Sequence, residues 1–271
     1  LDFGAPINAQ SKWLIILATI AIGFAGYIIN DYYDQEIDKI NRPKRNLFEK
    51  GLFKKGGIVV YILLNLFGLF LGLFLSYKLL ILNAVCVVLL FLYSKYFKGL
   101  AVVGNLVAAL LQALVFMPCL FYLDFSSAVF PGIHLSTSSF LMAFLVLIML
   151  FAFLTAWFRE WVKDIEDKEG DAASSLKTAP LVFSPNFNRT ALLIISVLLA
   201  FLVVGFTIAL TLDDFYKGDS VLVYFYAFLI VPLSVRAIVM LKNAQEKADW
   251  SKLSSWLKML MLAGVLSIGI L

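Results

Sequence analysis

Residues 30–45 read Asn30-Asp31-Tyr32-Tyr33-Asp34-Gln35-Glu36-Ile37-Asp38-Lys39-Ile40-Asn41-Arg42-Pro43-Lys44-Arg45. They follow about twenty mostly apolar residues, the length of one membrane crossing. This polar segment therefore sits where a membrane helix meets water. Asn30, Asp34 and Asp38 recur at i, i+4 and i+8. On a helix turning by about 100° per residue they form one stripe drifting by roughly 80°. Asp31 and Glu36 fall on other faces. Seven Lys/Arg lie between Lys39 and Lys55. An oxygen-bearing stripe beside a basic segment suits a divalent cation together with an anionic ligand.

A second stretch has the same character: Arg159-Glu160-Trp161-Val162-Lys163-Asp164-Ile165-Glu166-Asp167-Lys168-Glu169-Gly170-Asp171. Asp164, Asp167 and Asp171 recur at i, i+3 and i+7. If one helix continues through Gly170, they lie within about 60° of one another, and Glu166 and Glu169 point elsewhere. This stretch also ends an apolar run. Two acidic stripes at the ends of two membrane helices can face each other. So many carboxylates in one place repel strongly unless a hard cation with oxygen ligands relieves them.

The composition fixes the surroundings. The 271 residues are 62% hydrophobic and 15% charged, with a mean hydropathy of +0.93. Such a chain is a polytopic helical membrane protein with no room for a separate soluble domain. Apolar runs predict eight spans, near 13–30, 58–77, 79–97, 100–122, 139–158, 190–212, 221–241 and 253–271. Of 22 Lys/Arg, only Lys12, Lys78 and Lys217 fall on the side away from the acidic stretches. The positive-inside rule then puts both stretches in the cytoplasm, and the plasma membrane is the expected location. Cys86 and Cys119 read as small apolar residues in spans. His134 is the single histidine, so a His-built zinc or haem site has almost nothing to work with. The chain opens Leu1-Asp2-Phe3-Gly4 without Met or a signal-peptide pattern, and N-terminal truncation or processing is expected.

With both acidic stretches in view, the chain resembles the UbiA-type intramembrane prenyltransferases. Their first motif, NxxxDxxxD followed by an RP pair, corresponds to Asn30, Asp34, Asp38 and Arg42-Pro43. Their second, of the form KDxxDxxxD, corresponds to Lys163-Asp164, Asp167 and Asp171. A weaker third match is Tyr93-Ser94 with Lys98, and Gly104-Asn105 beyond it. The resemblance spans essentially the whole chain. It implies an all-α bundle forming a single transmembrane domain over residues 1–271. The family has nine helices, and its first motif ends the second of them. Here that motif ends the first span, so the family's first helix is expected to be absent.

The resemblance also implies chemistry. It makes Asp34, Asp38, Asp164, Asp167 and Asp171 the catalytic carboxylates, binding Mg²⁺ directly or through water, with Asn30 completing the metal site. Lys98, Lys163, Arg42 and Arg45 are expected at the diphosphate. Lys98 equally satisfies positive-inside, and a solvated loop suits Arg42 and Arg45 as well. Tyr93 and Asn105 are the candidates for acceptor binding. The interfacial aromatic belt also accounts for Tyr93, and interhelix hydrogen bonding for Asn105 and for Gln112 in the same span. The expected partners are a prenyl diphosphate donor, a lipophilic acceptor and membrane lipids, with no nucleic acid.

Within that family, NDYYDQEIDKINRPKR and REWVKDIEDKEGD are most similar to the geranylgeranylglyceryl phosphate geranylgeranyltransferase branch. The usual RPxRPLPSG is replaced here by Arg42-Pro43-Lys44-Arg45-Asn46-Leu47-Phe48-Glu49-Lys50-Gly51. Prenylation of 4-hydroxybenzoate or a quinone precursor is the alternative. A divalent-cation transporter fits worse, because no span carries an acidic residue near its middle, where a transport site belongs.

Overall fold

A computed structural model of the chain describes residues 9–41, 48, 52–121, 137–212 and 220–270. The described residues are helical almost throughout, without a β-sheet. Seven helices are long and apolar enough to cross a membrane: Gln10–Tyr33, Gly56–Leu75, Tyr77–Phe97, Met142–Glu166, Pro185–Thr211, Val221–Asn243 and Lys247–Ile270. Backbone donors and acceptors have no water to bond in a bilayer, and the helix satisfies them internally.

Among the described residues seven such helices are found, and the expected count of eight is not confirmed. The predicted span 100–122 is a 12-residue helix α5 (Val103–Leu114) and a five-residue helix α6 (Met117–Phe121). Between them Phe116 N–H bonds back to Ala113 C=O at 3.1 Å, a tight turn in place of the helical ladder. Pro118 explains the break. It has no N–H to give Leu114, and its ring crowds that carbonyl.

The described residues pack as two units. The first spans Leu1–Val107, Met117–Tyr122 and Asp167–Thr178. It contains α1 (Ala9–Tyr33), α2 (Gln35–Asn41), α3 (Leu52–Leu75) and α4 (Tyr77–Leu92), with a π-turn over Tyr93–Phe97 and a short α8 (Lys168–Ala173). Ala18, Ala21, Ile22, Ala25, Ile28 and Ile29 form the buried stripe of α1, which packs on α3 and α4. Trp13, Ile20 and Tyr27 occupy its exposed face. Close approach depends on glycines, as in membrane bundles generally. A Cβ on Gly68 would lie 2.6 Å from the Ile22 side chain, and one on Gly26 2.8 Å from Leu90. The Asn83 amide donates to Gly68 C=O at 2.9 Å, joining α3 to α4 with a bond worth about 1 kcal/mol in a membrane interior.

The second unit spans Ala108–Phe116, Leu123–Glu166 and Ala179–Leu271. It is built on α7 (Thr137–Glu166), α9 (Ala179–Val182), α10 (Pro185–Leu212), α11 (Ser220–Phe225), α12 (Val231–Asn243) and α13 (Lys247–Leu266). Phe144, Ile148, Phe151 and Phe158 line the buried face of α7, which packs on α10 and α13. Gly264 of α13 receives Phe151 so closely that a Cβ there would sit 2.2 Å from its ring. The buried Trp161 indole donates to Asn188 Oδ1 at 2.8 Å and ties the last turns of α7 to α10.

Candidate functional site

The first acidic stretch straddles the end of α1. Asn30 lies in the last turn of α1, Asp34 between α1 and α2, and Asp38 within α2. The backbone ladder runs through the interruption: Asp34 N–H bonds Asn30 C=O at 2.9 Å, and Asp38 N–H bonds Asp34 C=O at 2.8 Å. Asn30 and Asp34 therefore share a face, and the Asn30 amide donates to Asp34 Oδ2 at 2.6 Å. Asp34 is only 4% exposed. A carboxylate so sheltered requires donors, and a second comes from the Lys98 ammonium, which also bonds Oδ2.

Lys98 reaches Asp34 because of the loop that carries it. The π-turn at Tyr93–Phe97 leads into Lys98, whose N–H bonds Tyr93 C=O at 2.9 Å. Val102 sits at φ 67°, a left-handed conformation unusual for a β-branched residue. Gly104 follows, with the Phe97 carbonyl oxygen only 2.6 Å from where a Cβ would be. The same loop meets the segment that follows the second acidic stretch: Leu100 pairs with Lys177 in a parallel bridge, and Lys177 N–H bonds Gly99 C=O at 2.8 Å.

The second stretch departs from one continuous helix. Helix α7 ends at Glu166, Asp167 adopts φ −93° and ψ 6°, and α8 begins at Lys168. The ladder resumes across this residue, with Asp171 N–H bonding Asp167 C=O at 3.1 Å. Asp171 is 6% exposed, and its Oδ2 accepts from the buried Thr178 hydroxyl at 3.0 Å. Helices α2 and α8 pack against one another within the first unit. The segments bearing Asp34, Asp38, Asp167 and Asp171 are thus neighbours, and Lys98 is bonded into the first of them.

Other expected site residues lie elsewhere. Lys163 and Asp164 belong to the last turn of α7, in the second unit, just beyond Trp161. Tyr93 is half-buried in the π-turn, Asn105 is buried in α5, and Gln112 is exposed. Arg42 and Arg45 lie outside the described residues. Among those described, no three His, Cys, Asp or Glu side chains are placed to hold a metal ion by themselves. Thr178 and Asn188 were not singled out from the sequence. Each is one short polar residue among many, and what marks it is a partner seven and 27 residues away, respectively.

The long apolar helices and the juxtaposed acidic segments at a helix end define an integral, multi-pass membrane protein. The UbiA prenyltransferase family matches residues 2–262, so the chain belongs to that family and is a prenyltransferase. It is 28% identical over 267 residues to the digeranylgeranylglyceryl phosphate synthase of Methanosphaera stadtmanae, covering 97% of this chain and 89% of that one. A solved structure described as digeranylgeranylglyceryl phosphate synthase in membranes superposes with a TM-score of 0.69 at 24% identity, over 96% of this chain and 85% of the other. A UbiA homologue from Archaeoglobus fulgidus, bound to GPP and Mg²⁺, superposes at 0.62 and 16% identity, over 97% and 89%. At these identities the two structures establish the fold.

Proposed function

We propose that this protein transfers a geranylgeranyl group from its diphosphate to geranylgeranylglyceryl phosphate, with Mg²⁺, at the cytoplasmic face of the cell membrane. The observation that carries the reading is the packing of α2 on α8 with Lys98 bonded to Asp34. It gathers the two carboxylate-bearing segments and a cation where a diphosphate needs them. The acceptor follows from the relatives, which bear the name digeranylgeranylglyceryl phosphate synthase, and from the wording of the two motifs.

The donor set fits Mg²⁺. It is all oxygen, from carboxylates and one amide, which suits a hard ion. No three carboxylates close a cage among the described residues. Mg²⁺ is commonly held by one or two carboxylates plus substrate phosphates, so an open arrangement is appropriate. Asp34, Asp38, Asp164, Asp167 and Asp171 would hold it, and Asn30 would orient Asp34. When bound, Mg²⁺ offsets the charge that builds on the departing diphosphate.

The chain's own groups do the rest. Lys98 supplies a fixed positive charge for the diphosphate, joined by Lys163, Arg42 and Arg45. Thr178 holds the Asp171 carboxylate in place. The apolar helices keep water from the allylic cation left when the C1–O bond to diphosphate breaks. The acceptor hydroxyl then forms the new C–O bond and releases its proton to water or the diphosphate. Tyr93 and Asn105 are assigned to the acceptor.

The test is turnover in nanodiscs with radiolabelled geranylgeranyl diphosphate and either geranylgeranylglyceryl phosphate or 4-hydroxybenzoate. Product from the glyceryl phosphate alone, abolished by EDTA, is expected. Product from 4-hydroxybenzoate alone would overturn the acceptor assignment.

A further inference from the structure

Helices α12 and α13 form a hairpin whose outer face carries charge inside the apolar spans. Residues 236–258 hold five cations (Arg236, Lys242, Lys247, Lys252 and Lys258) against two carboxylates, Glu246 and Asp249. Arg236 lies seven residues before the end of α12, and Lys252 five residues after the start of α13. At 1.5 Å per residue both sit roughly 8–10 Å below the hairpin turn, at one depth. With the hairpin turn at the water surface, that depth is where headgroups give way to acyl chains.

The two cations line one groove of about 570 Å³, together with Ser251, Ser255, Trp256 and Met259 among others. None of its lining residues is acidic. The nearby Asp249, on which Lys252 acts, is engaged at the helix start, accepting from Gln245 N–H and Glu246 N–H at 3.2 Å each. The walls are fixed. The Trp256 indole donates to Leu233 C=O at 3.0 Å, and the Arg189 guanidinium bonds Ala244 C=O at the turn. Arg189 also lies 5.9 Å from the centre of the Trp250 ring.

We propose that this groove binds the phosphate headgroup of an anionic membrane phospholipid. Arg236 and Lys252 meet the phosphate, Ser251 and Ser255 donate hydroxyls, and an acyl chain runs over Trp256 and Met259. Charge complementarity selects this occupant. Cations within a span are costly unless an anion or water reaches them, and a lipid phosphate lies at that depth beside an apolar floor. Met259 is 55% exposed and continues the floor away from the cations. A free phosphate satisfies the cations but leaves that floor uncovered.

The test is native mass spectrometry of the full chain released from phosphatidylcholine nanodiscs doped with phosphatidylglycerol. The intact protein is expected to retain one phosphatidylglycerol in preference to phosphatidylcholine. Arg236→Gln with Lys252→Gln should weaken retention by about tenfold or more. Lys242→Gln with Lys258→Gln removes the same charge from the same hairpin outside the groove and should keep it. Thermal melting checks that both doubles are folded. Equal loss in the two doubles would mean diffuse basic attraction and would sink the proposal. Equal retention of the two lipids would sink it as well, as would displacement of phosphatidylglycerol by millimolar inorganic phosphate.

Discussion

The Lys98 ammonium bonds Oδ2 of Asp34, 64 residues earlier in the chain, the same oxygen that accepts from Asn30. The bond joins the end of α1 to the loop after the π-turn. It also places a proposed diphosphate ligand on a proposed metal ligand, so the two roles compete for one carboxylate.

That competition gives the first prediction. Lys98→Met leaves the sheltered Asp34 carboxylate with the Asn30 amide as its side-chain donor. The expected cost in stability without metal is about 2 kcal/mol, below the 3–5 kcal/mol of a fully buried pair because Lys98 keeps some contact with water. Mg²⁺ should restore much of it. Added Mg²⁺ is therefore expected to raise the melting temperature of Lys98→Met more than that of the unaltered protein, while turnover stays low. Equal Mg²⁺-induced shifts in the two proteins would show that the ion does not take the place of Lys98.

The second prediction separates the stripes from their neighbours. Asp34→Asn and Asp167→Asn are each expected to lower turnover by at least about a hundredfold, a loss of roughly 2.7 kcal/mol of transition-state stabilisation. Asp31→Asn and Glu166→Gln, in the same segments but off the stripes, should keep most activity. The structure adds a difference between the first two. Asp34→Asn also breaks the Lys98 ion pair and should lower the melting temperature in the absence of metal, whereas Asp167→Asn should not. Turnover at saturating Mg²⁺, with melting curves beside it, checks both. Equal damage in all four variants would rule out helical phase as the organising feature.

Much of this was legible in the sequence, and the reason is the bilayer. A span must be helical and about twenty residues long, so composition fixes class and approximate bounds. It does not foresee the interruption within 100–122, where Pro118 stands in an apolar run that hydropathy reads as continuous. The two acidic segments were legible because they depend on spacing alone, but the interruption of the second at Asp167 was not. The pairing of Lys98 with Asp34 was not legible either. It requires the chain to turn through Val102 at positive φ and pair Leu100 with Lys177, and no local pattern encodes a contact that distant. The link from Asp171 to Thr178 was hidden for a related reason: Thr178 follows a turn through Ser175 at φ 56°, off any helical period.

The third prediction concerns that link. Thr178→Val keeps the shape of the side chain but removes the hydroxyl that donates to Asp171 Oδ2. Both residues are buried, so the expected cost in stability is about 1–2 kcal/mol. Catalytically, a carboxylate no longer held in place should bind Mg²⁺ less well. A Mg²⁺ titration of turnover should give a half-saturating concentration raised severalfold with a maximal rate near normal, and Thr178→Ser should restore it. A lowered maximal rate with unchanged Mg²⁺ dependence would mean that Thr178 serves the fold and not the ion.

The last prediction tests whether the loop holding Lys98 is set by backbone packing. Gly104 is the second residue of α5, and a Cβ there would lie 2.6 Å from Phe97 O and 3.1 Å from Lys98 Cα. Both are backbone atoms and cannot turn aside as a flexible side chain can. Gly104→Ala must therefore push the 97–104 turn outward and draw Lys98 from Asp34. A stability cost of about 1–3 kcal/mol is expected, in the range of overpacking, with turnover falling by at least about tenfold. Gly205→Ala is the control. Gly205 lies inside α10 with nothing within 4 Å of its would-be Cβ, so alanine there should be neutral or stabilising by up to about 1 kcal/mol through helix propensity. Val102→Gly completes the set, since it removes the penalty of a β-branched residue at positive φ and loosens the same turn. It should leave stability nearly unchanged while lowering turnover, because a freer turn holds Lys98 less firmly. Melting curves and turnover of the three variants decide the matter. If Gly104→Ala melts and turns over like Gly205→Ala, the close approach of α5 to the Phe97 carbonyl does not position Lys98.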